Sequence, residues 1–266
     1  MRTLMQPFTT PSHTLCMAQR VPQTSKADLH IHTTHSDGIA SVQEVLAHVA
    51  HATDLKVIAI TDHDCIAGSK QAARLAPSYG IEAIVGEEIS TQHGHLLALF
   101  TERHIPAGKP AWETIADIHA QGGLAVAPHP FDASVPSLGA SELAPFLNEL
   151  DLDGIEGFNA GVYWHQRSCN ALAQQRAQVW QLPLTGGSDS HSLPTLGKGF
   201  TTFAGNTAQD LFHAIKTHQV NCGGSYWSLA NYWDNWRHAV QDHGILATAR
   251  WAWHNAGQPS RSTPSV

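Results

Sequence analysis

Short apolar runs alternate with amphipathic segments through most of the chain. The run 55–61 is rich in β-branched residues. It follows a helical pattern over 41–52 that opens with Ser41 and has Glu44 three residues later, the spacing of a capping box. Further strands are predicted over 81–90, 95–100, 124–130, 154–159 and 182–191, and further helices over 67–77, 112–123, 164–180 and 207–219. Strands separated by helices predict βαβ units, and their number favours an α/β barrel with a mainly parallel sheet.

The two ends of the chain have a different character from this middle part. Residues 1–26 have no sustained periodicity and predict a flexible leader, whereas residues 27–225 carry the barrel pattern. Residues 226–266 predict a helical extension packed on the barrel, followed by a disordered tail, GQPSRSTPSV. Five of the eight tryptophans lie in this extension, where they are expected to serve packing: Trp227, Trp233, Trp236, Trp251 and Trp253.

Composition limits the classes of function. The net charge of −7 argues against an extended nucleic-acid surface but leaves a small phosphorylated substrate open. The four cysteines form no C-x-x-C pair, so neither a disulfide framework nor a thiolate zinc site is predicted. No run of 18 apolar residues and no signal-peptide pattern occurs, so we expect a soluble, cytoplasmic protein with no membrane partner. The oligomeric state stays open.

Polar residues cluster where the predicted strands end. They are His30 and His32, Asp62 and His63, Glu88, His129, and Asp189 and His191. The carboxyl ends of parallel barrel strands converge on one face, so these side chains are expected to meet. His30 and His32 are two apart on a strand and therefore point the same way. Imidazole and carboxylate ligands without thiolate suit Zn, Mn or Fe ions, which predicts a metal site.

Six motifs, in order, carry a family resemblance: DLHIHTTHSDG, ITDHD, VGEEIS, HLLALF, VAPHP and GGSDSH. Together they resemble the polymerase and histidinol phosphatase (PHP) family of metal-dependent phosphoesterases, in its small stand-alone form. The resemblance covers about residues 27–205 and implies a distorted (β/α)7 TIM-like barrel with a trinuclear metal site. Many small family members carry a long insertion between two of these motifs. This chain departs from them, because His95 and His129 are only 34 positions apart.

Carried over to this chain, the resemblance implies a ligand set. His30, His32, Glu88 and Asp189 would hold the first ion, Glu88, His95 and His129 the second, and Asp37, His63 and His191 the third. The implied nucleophile is a metal-bridging hydroxide held by Glu88, His30 and His32, and His191 and His63 are candidate acid/base groups. Two alternatives stay open: Glu87 could replace Glu88, and His93 could replace His95.

Other residues receive lesser roles. Asp28 and Asp62 are expected to orient imidazoles from behind the ligands. Arg167, Lys198 and His35 are candidates for binding the substrate, with a surface role as the alternative for each. Histidines on predicted helices are read as surface residues: His48, His51, His119, His213, His218 and His238.

The function predicted from these features is metal-dependent hydrolysis of phosphate esters with two or three divalent ions (Mn, Zn or Fe). The substrate class includes a small phosphomonoester, a nucleotide and an oligonucleotide end. Two alternatives remain. One is a metallohydrolase acting on a carbonyl centre such as a carbamate, ester or amide. The other is a non-catalytic metal-binding module.

Overall fold

The computed structural model describes residues 24–141 and 144–243. The strands are β1 Thr24–Ile31, β2 Leu55–Ile60, β3 Glu82–Thr91, β4 Gly94–Leu99, β5 Leu124–Ala127, β6 Gly154–Asn159, β7 Leu184–Gly187, β8 Gly199–Ala204 and β9 Val220–Gly224. The helices are α1 Val42–Ala52, α2 Ala67–Leu75, α3 Ala111–His119, α4 Ser168–Trp180, α5 Ala208–Lys216 and α6 Leu229–His243. The predicted alternation of strands and helices is therefore present.

The strands form one nine-stranded sheet in the order β7-β6-β5-β4-β3-β2-β1-β8-β9. The sheet curls so that the end of β7 meets the end of β1. There Ile31 and Ser190 form a parallel bridge, and the His32 amide donates to the Ser190 carbonyl over 2.8 Å. The result is a nearly closed barrel, which confirms the predicted α/β barrel.

The sheet is less parallel than the sequence predicts. Among the described strands, four neighbouring pairs are parallel and four are antiparallel. Strand β4 runs against both β3 and β5, because only Gln92 and His93 separate it from β3. Two residues can close a hairpin but cannot make the crossover that joins parallel strands. The beginning of β4 therefore lies at the same barrel end as the end of β3.

Helix α1 shows how local sequence and packing agree. The Ser41 hydroxyl accepts from the Glu44 amide, and the Glu44 carboxylate accepts from the Ser41 amide over 2.8 Å, so the predicted capping box forms. Such a cap is worth about 1 kcal/mol. Val42, Val45 and Val49 lie on one buried face of the helix. Strand β2 is buried on both faces from Val57 to Ile60, as expected for a strand covered by helices outside and side chains inside.

The first strand and the C-terminal extension differ in detail from the sequence prediction. Strand β1 begins at Thr24, inside the predicted leader, because Thr24–Ala27 pair with β8. In the C-terminal extension Trp227 is buried, as expected of a packing residue. Trp233 and Trp236 instead stack on each other on the surface of α6, with side chains that are 58% and 42% exposed.

Other predicted features lie outside the described residues. They are the leader up to residue 23, Trp251, Trp253 and the tail. Within the part of the chain that is described, no helix combines the length and apolar character needed to cross a bilayer.

Candidate metal centre

Nine side chains converge at the barrel end where β1, β2, β3, β5 and β7 finish. They are His30, His32, Asp37, His63, Glu88, His95, His129, Asp189 and His191, which are the nine ligands that the family resemblance implies. His95 joins them from the beginning of the antiparallel strand β4. It precedes its apolar run instead of following it, since β4 starts where β3 ends.

The nine residues form four overlapping groups whose candidate ligand atoms lie within 4.8 Å of one another. The groups are His32, Asp37, His63 and His191; His30, His32 and Glu88; His30, His129 and Asp189; and His63, Glu88 and His95. His30, His32, His63 and Glu88 each belong to two groups. The donor atoms therefore surround adjoining positions in one continuous cluster.

Glu88 is the centre of this cluster. Its Oε1 lies 2.8 Å from Nδ1 of His95 and 3.1 Å from Nε2 of His129. Its Oε2 lies 3.1 Å from Nε2 of His30 and 3.3 Å from Nε2 of His32. Burial alone would raise the pKa of Glu88, but the facing histidines lower it well below its ordinary value. The carboxylate is thus held ionised inside the barrel.

Several imidazole nitrogens near these carboxylates are not paired by hydrogen bonds. Both ring nitrogens of His32, Nδ1 of His95 and Nδ1 of His129 are buried without a hydrogen-bond partner among the described residues. Nδ1 of His95 is close to Glu88 but not aligned for a hydrogen bond. Leaving buried polar atoms unpaired costs about 1–3 kcal/mol each. Nitrogen and oxygen atoms that lie close together without hydrogen bonds between them fit a divalent cation. The residues present therefore suit the metal that the family resemblance implies.

The groups differ in how far they reach toward solvent. The side chains of His30, His32 and Glu88 are at most 1% exposed, whereas Asp37 is 45% exposed. His191 lies beside Asp37, with 3.2 Å between Nε2 and Oδ2, and its Nδ1 lies 2.9 Å from the Asp189 carbonyl. The group that contains Asp37 is therefore at the mouth of the centre.

Electrostatics separate two of the histidines at this centre. Burial opposes protonation of His32, but Asp189, Glu88 and Asp37 outweigh it and raise its pKa to about 10. Burial lowers the pKa of His63 to about 4, because the opposing charge of Glu88 is too small to compensate. The positive charge of a protonated His32 is thus offset by nearby carboxylates, whereas His63 is held neutral.

The structure distinguishes between the two pairs of alternatives. Glu87 points away from the centre, where its carboxylate accepts from the Ile105 amide over 2.8 Å and lies 2.7 Å from Nδ1 of His104. His93 also points away. Its Nδ1 accepts from the Ala111 amide over 3.2 Å at the start of α3. Of each pair, it is Glu88 and His95 that face the cluster.

Asp28 and Asp62 hold backbone segments and not, as the sequence suggested, imidazole rings. Asp62 accepts from the amide and hydroxyl of Thr33, at 2.7 and 2.8 Å, and fixes the loop that leads to Asp37. Asp28 accepts from the amides of Ser188 and Gly197 and joins β1 to the segment after β7. Burial raises the pKa of Asp28 to about 6.

Two buried residues behind the ligands were missed by the sequence reasoning. Glu156 Oε1 lies 3.3 Å from Nδ1 of His30, and its Oε2 accepts from the His129 amide over 2.7 Å. Asn159 Nδ2 donates to Glu156 over 2.8 Å and to Asp189 over 3.1 Å. The available signal was a charged residue in the middle of the otherwise apolar strand pattern GIEGFN.

A bulge in β6 brings Glu156 and Asn159 to the same side. Glu156 pairs with Thr185 and Phe158 with Gly186, so Gly157 is an extra residue without a counterpart on β7. Residues three apart on a regular strand point to opposite faces. The extra residue reverses this alternation, which is how a bulge re-aims a side chain.

Two of the nine residues have a backbone conformation that L-residues rarely adopt. His129 has φ 30° and Asp189 has φ 52°. A non-glycine residue in this region costs about 1–3 kcal/mol and is retained where the surroundings fix it. Each residue lies two positions after the end of a short strand, β5 or β7, so part of the backbone strain of the described chain lies at the candidate site.

The three candidate substrate-binding residues lie in different surroundings. The Arg167 guanidinium packs 4.2 Å above the Tyr226 ring, and its Nη2 donates to the Trp227 carbonyl over 3.4 Å. Lys198 is half-buried just before β8. His35 is exposed, and its Nε2 lies 3.2 Å from the Gln71 side chain. Substrate binding by these residues stays a prediction.

The C-terminal extension contacts the cluster through aromatic rings. Trp227 stands edge-on to His191, with ring centres 6.2 Å apart, and its Nε1 donates to the Ser188 carbonyl over 3.0 Å. Tyr232 of α6 packs against Trp227 and stacks on Tyr163 at 5.1 Å. The extension therefore forms one wall beside the mouth of the centre.

A nearly closed α/β barrel with a histidine and carboxylate cluster at its strand ends is an arrangement that suits a metal-binding protein. The comparisons with known proteins give the family. The PHP domain model matches residues 28–177, more than half of the chain, and the model described as PHP-associated matches residues 167–220. The chain belongs to the PHP domain family.

Similar proteins cover different parts of the chain. The uncharacterized protein MJ1587 of Methanocaldococcus jannaschii is 40% identical over 146 residues, which are 51% of this chain and 82% of that protein. A 5'-3' exoribonuclease of Haemophilus influenzae is 52% identical over 68 residues, which are 26% of this chain but only 24% of the enzyme.

A solved structure supports the fold. A two-domain protein of Bacteroides vulgatus that contains a predicted PHP-like metal-dependent phosphoesterase aligns with a TM-score of 0.63 at 19% identity. The alignment covers 77% of this chain and 66% of that one. At this identity the similarity shows the shared barrel fold.

Proposed function

We propose that the protein hydrolyses phosphate esters with two or three divalent metal ions held by the nine clustered side chains. The observation that carries this proposal is the buried Glu88 carboxylate, both of whose oxygens face imidazole nitrogens at 2.8–3.3 Å. His30, His32, Glu88 and Asp189 would hold one ion, Glu88, His95 and His129 a second, and Asp37, His63 and His191 a third.

The donor set and the family support metal chemistry on phosphate. Imidazole and carboxylate donors without thiolate suit Zn, Mn or Fe. Divalent ions bound here would lower the pKa of a coordinated water and offset the charge of a phosphate group. Membership of the PHP domain family favours the same class of reaction.

The roles that we propose for the residues of the chain differ with their depth in the centre. Glu88 and His30, whose side chains are at most 1% exposed, would fix the geometry at the base of the centre. His63 and His191 have side chains 30% and 24% exposed, so a substrate at the mouth can reach them. With only two ions bound, His191 would not be a ligand, and its imidazole can then transfer a proton to a leaving oxygen within hydrogen-bond reach.

The substrate we propose is a small phosphomonoester, a nucleotide or the end of an oligonucleotide. The identity with part of a 5'-3' exoribonuclease supports the last of these. The net charge of −7 disfavours a long nucleic acid bound across the surface. Arg167 and Lys198 are the cations that we propose assist in holding the phosphate.

The test is release of inorganic phosphate from sugar phosphates and nucleotides, and of inorganic phosphate or nucleotides from 5'-phosphorylated oligonucleotides, with Mn, Zn or Fe added. We expect His30→Ala and Asp189→Ala to lose activity on any substrate that the wild type hydrolyses. His51→Ala is the matched control, because His51 is exposed at the end of α1.

Aryl esters and carbamates belong in the same assay because they test the carbonyl-centred alternative. Turnover of these compounds alone would overturn the proposal in favour of that alternative. Bound metal without turnover of any compound would favour a non-catalytic module. Full activity of both cluster variants on phosphate esters would also contradict the proposal.

A further inference from the structure

We propose that Glu156 and Asn159 are positioning residues that set the geometry of His30, His129 and Asp189 without binding metal themselves. This inference rests on the metal-binding part of the proposed function, not on the identity of the substrate. Both residues lie on β6, whereas the three residues they contact come from β1, from the end of β5 and from the end of β7.

Glu156 determines which nitrogen of His30 faces the centre. Its carboxylate is 1% exposed, and Oε1 lies 3.3 Å from Nδ1 of His30. An ionised carboxylate only accepts hydrogen bonds, so this contact requires the proton on Nδ1. The lone pair is then on Nε2, which lies 3.1 Å from Glu88 and 3.5 Å from Asp189. A carboxylate behind an imidazole in this way both orients the ring and makes it a stronger ligand.

The second oxygen of Glu156 restrains a strained residue. Oε2 accepts from the backbone amide of His129 over 2.7 Å, and His129 is in the left-handed region with φ 30°. The hydrogen bond fixes the peptide from which the imidazole projects, and the ring places Nε2 3.1 Å from Glu88. One carboxylate therefore orients two histidines of the cluster.

Asn159 extends this restraint to Asp189, which is also in the left-handed region. Its Nδ2 donates to Glu156 over 2.8 Å and to Asp189 over 3.1 Å, while its Oδ1 accepts from the Gly161 amide over 2.8 Å. The amide is satisfied in only one orientation, since both neighbours of Nδ2 are carboxylates. The two strained residues are thus restrained by the same pair.

Two observations separate these residues from the ligands. The Glu156 oxygens are used by His30, by the His129 amide and by Asn159, and Glu156 is in none of the four groups of candidate ligands among the described residues. The space beside Glu156 is also closed. A Cβ added to Gly187 would lie 2.5 Å from both Glu156 Oε1 and His30 Cβ. The glycine therefore permits the close packing of this carboxylate against the imidazole.

The experiment compares metal binding and imidazole tautomers in full-length Glu156→Gln, Asn159→Ala and Glu87→Gln. Zn and Mn affinity would be measured by competition with a chelator, and the protonated ring nitrogen of His30 by NMR of the ¹⁵N-histidine-labelled, Zn-loaded protein. Glu87→Gln is the matched control. Glu87 is equally buried, next to Glu88 in sequence, and hydrogen-bonded away from the centre.

We expect Glu156→Gln to weaken metal binding about 10–100-fold, the range typical of partners behind a ligand. The glutamine amide cannot accept at both positions, so the Nδ1–H signal of His30 should shift or be lost. Asn159→Ala should weaken binding without changing the His30 tautomer. It also tests the inference independently if Glu156→Gln does not fold.

The inference is overturned if both variants bind Zn and Mn like the wild type with the same His30 tautomer, or if Glu87→Gln weakens binding equally. Its failure is distinct from that of the proposed function. A wild type that binds metal but hydrolyses no phosphate ester would overturn the reaction and leave the positioning role standing. A wild type that binds no divalent ion would overturn both.

Discussion

Glu87 and Glu88 are neighbours on β3 whose carboxylates lie on opposite sides of the strand. Glu88 faces the histidine cluster, and Glu87 faces the loop that contains His104 and Ile105. Both side chains are buried, so burial alone does not tell them apart. The alternation of side chains along the strand does tell them apart. Comparing the two residues therefore separates the effect of facing the cluster from the effect of burial.

The first prediction concerns Glu88→Gln and Glu87→Gln. Glu88→Gln removes the charge that faces four imidazoles at 2.8–3.3 Å, so we expect a larger loss of metal affinity than the roughly 10–100-fold seen for partners behind ligands. Glu87→Gln should keep its metal content and lose stability instead. Metal analysis after dialysis, with thermal unfolding, measures both. Equal metal content in the two variants would contradict the prediction.

The second prediction separates His95 from His93. His95→Ala should lower metal content and activity, because its Nδ1 lies 2.8 Å from Glu88. His93→Ala should lower the free energy of unfolding by about 1–3 kcal/mol, since it removes the acceptor of the buried Ala111 amide at the start of α3. Metal content and urea unfolding of both variants check this. The reverse pattern would show that His93 is the metal-binding residue.

The third prediction concerns removal of the metal. A ligand that binds only the folded state adds stability, about 2.7 kcal/mol when its free concentration is 100 times its Kd. Treatment with a chelator should therefore lower the Tm of the wild type, and added Zn or Mn should restore it. Asp189→Ala, which lacks one of the clustered carboxylates, should respond much less. An identical response in the two proteins would argue that the stabilising ion binds elsewhere.

The fourth prediction concerns pH and Asp153, at the opposite end of the barrel. Burial alone would raise the pKa of Asp153, but Lys216, the Ala125 amide and His119 outweigh it and lower the pKa below its ordinary value. At pH values between the lowered pKa and the ordinary one, the unfolded chain therefore binds more protons than the folded chain. The stabilisation from Asp153 is therefore present above about pH 4 and lost as pH falls through the lowered pKa.

Asp153→Asn should accordingly lower the free energy of unfolding by about 1.5–3 kcal/mol at pH 7, with a gap that narrows as pH falls below about 4. Denaturant unfolding at several pH values measures the gap. Asp54→Asn is the control, because Asp54 pairs with Lys26 at the surface and is 72% exposed, so its loss should cost about 0–1 kcal/mol. A pH-independent gap for Asp153→Asn would refute the assignment.

The sequence predicted the positions of most candidate site residues, because apolar strands stop where polar residues begin. His30 and His32 illustrate this, since two-residue spacing on a strand places both on one face and their rings lie 5.1 Å apart. Local pattern does not determine the direction of a strand, so the antiparallel β4 was not foreseen. The short Gln92–His93 connection was the physical signal that the prediction did not use.

The residues behind the ligands were harder to predict. Asp28 and Asp62 were expected to orient imidazoles, yet they accept from backbone amides of segments distant in sequence. Glu156 and Asn159 face the same side only because of the bulge at Gly157. The bulge arises from the pairing of β6 with β7, and the local sequence of β6 alone does not reveal that pairing.

The bulge in β6 has a consequence for changes in chain length. Because Gly157 has no counterpart on β7, its deletion would leave a regular ladder in which Glu156 and Asn159 are two residues apart. Residues two apart on a strand point to the same side, so both would still face the cluster. One residue inserted between Phe158 and Asn159 would instead turn Asn159 outward, and the Asp189 carboxylate would lose its amide donor, although no polar residue had been removed. The centre should therefore tolerate the loss of Gly157 better than the gain of one residue at this point of β6.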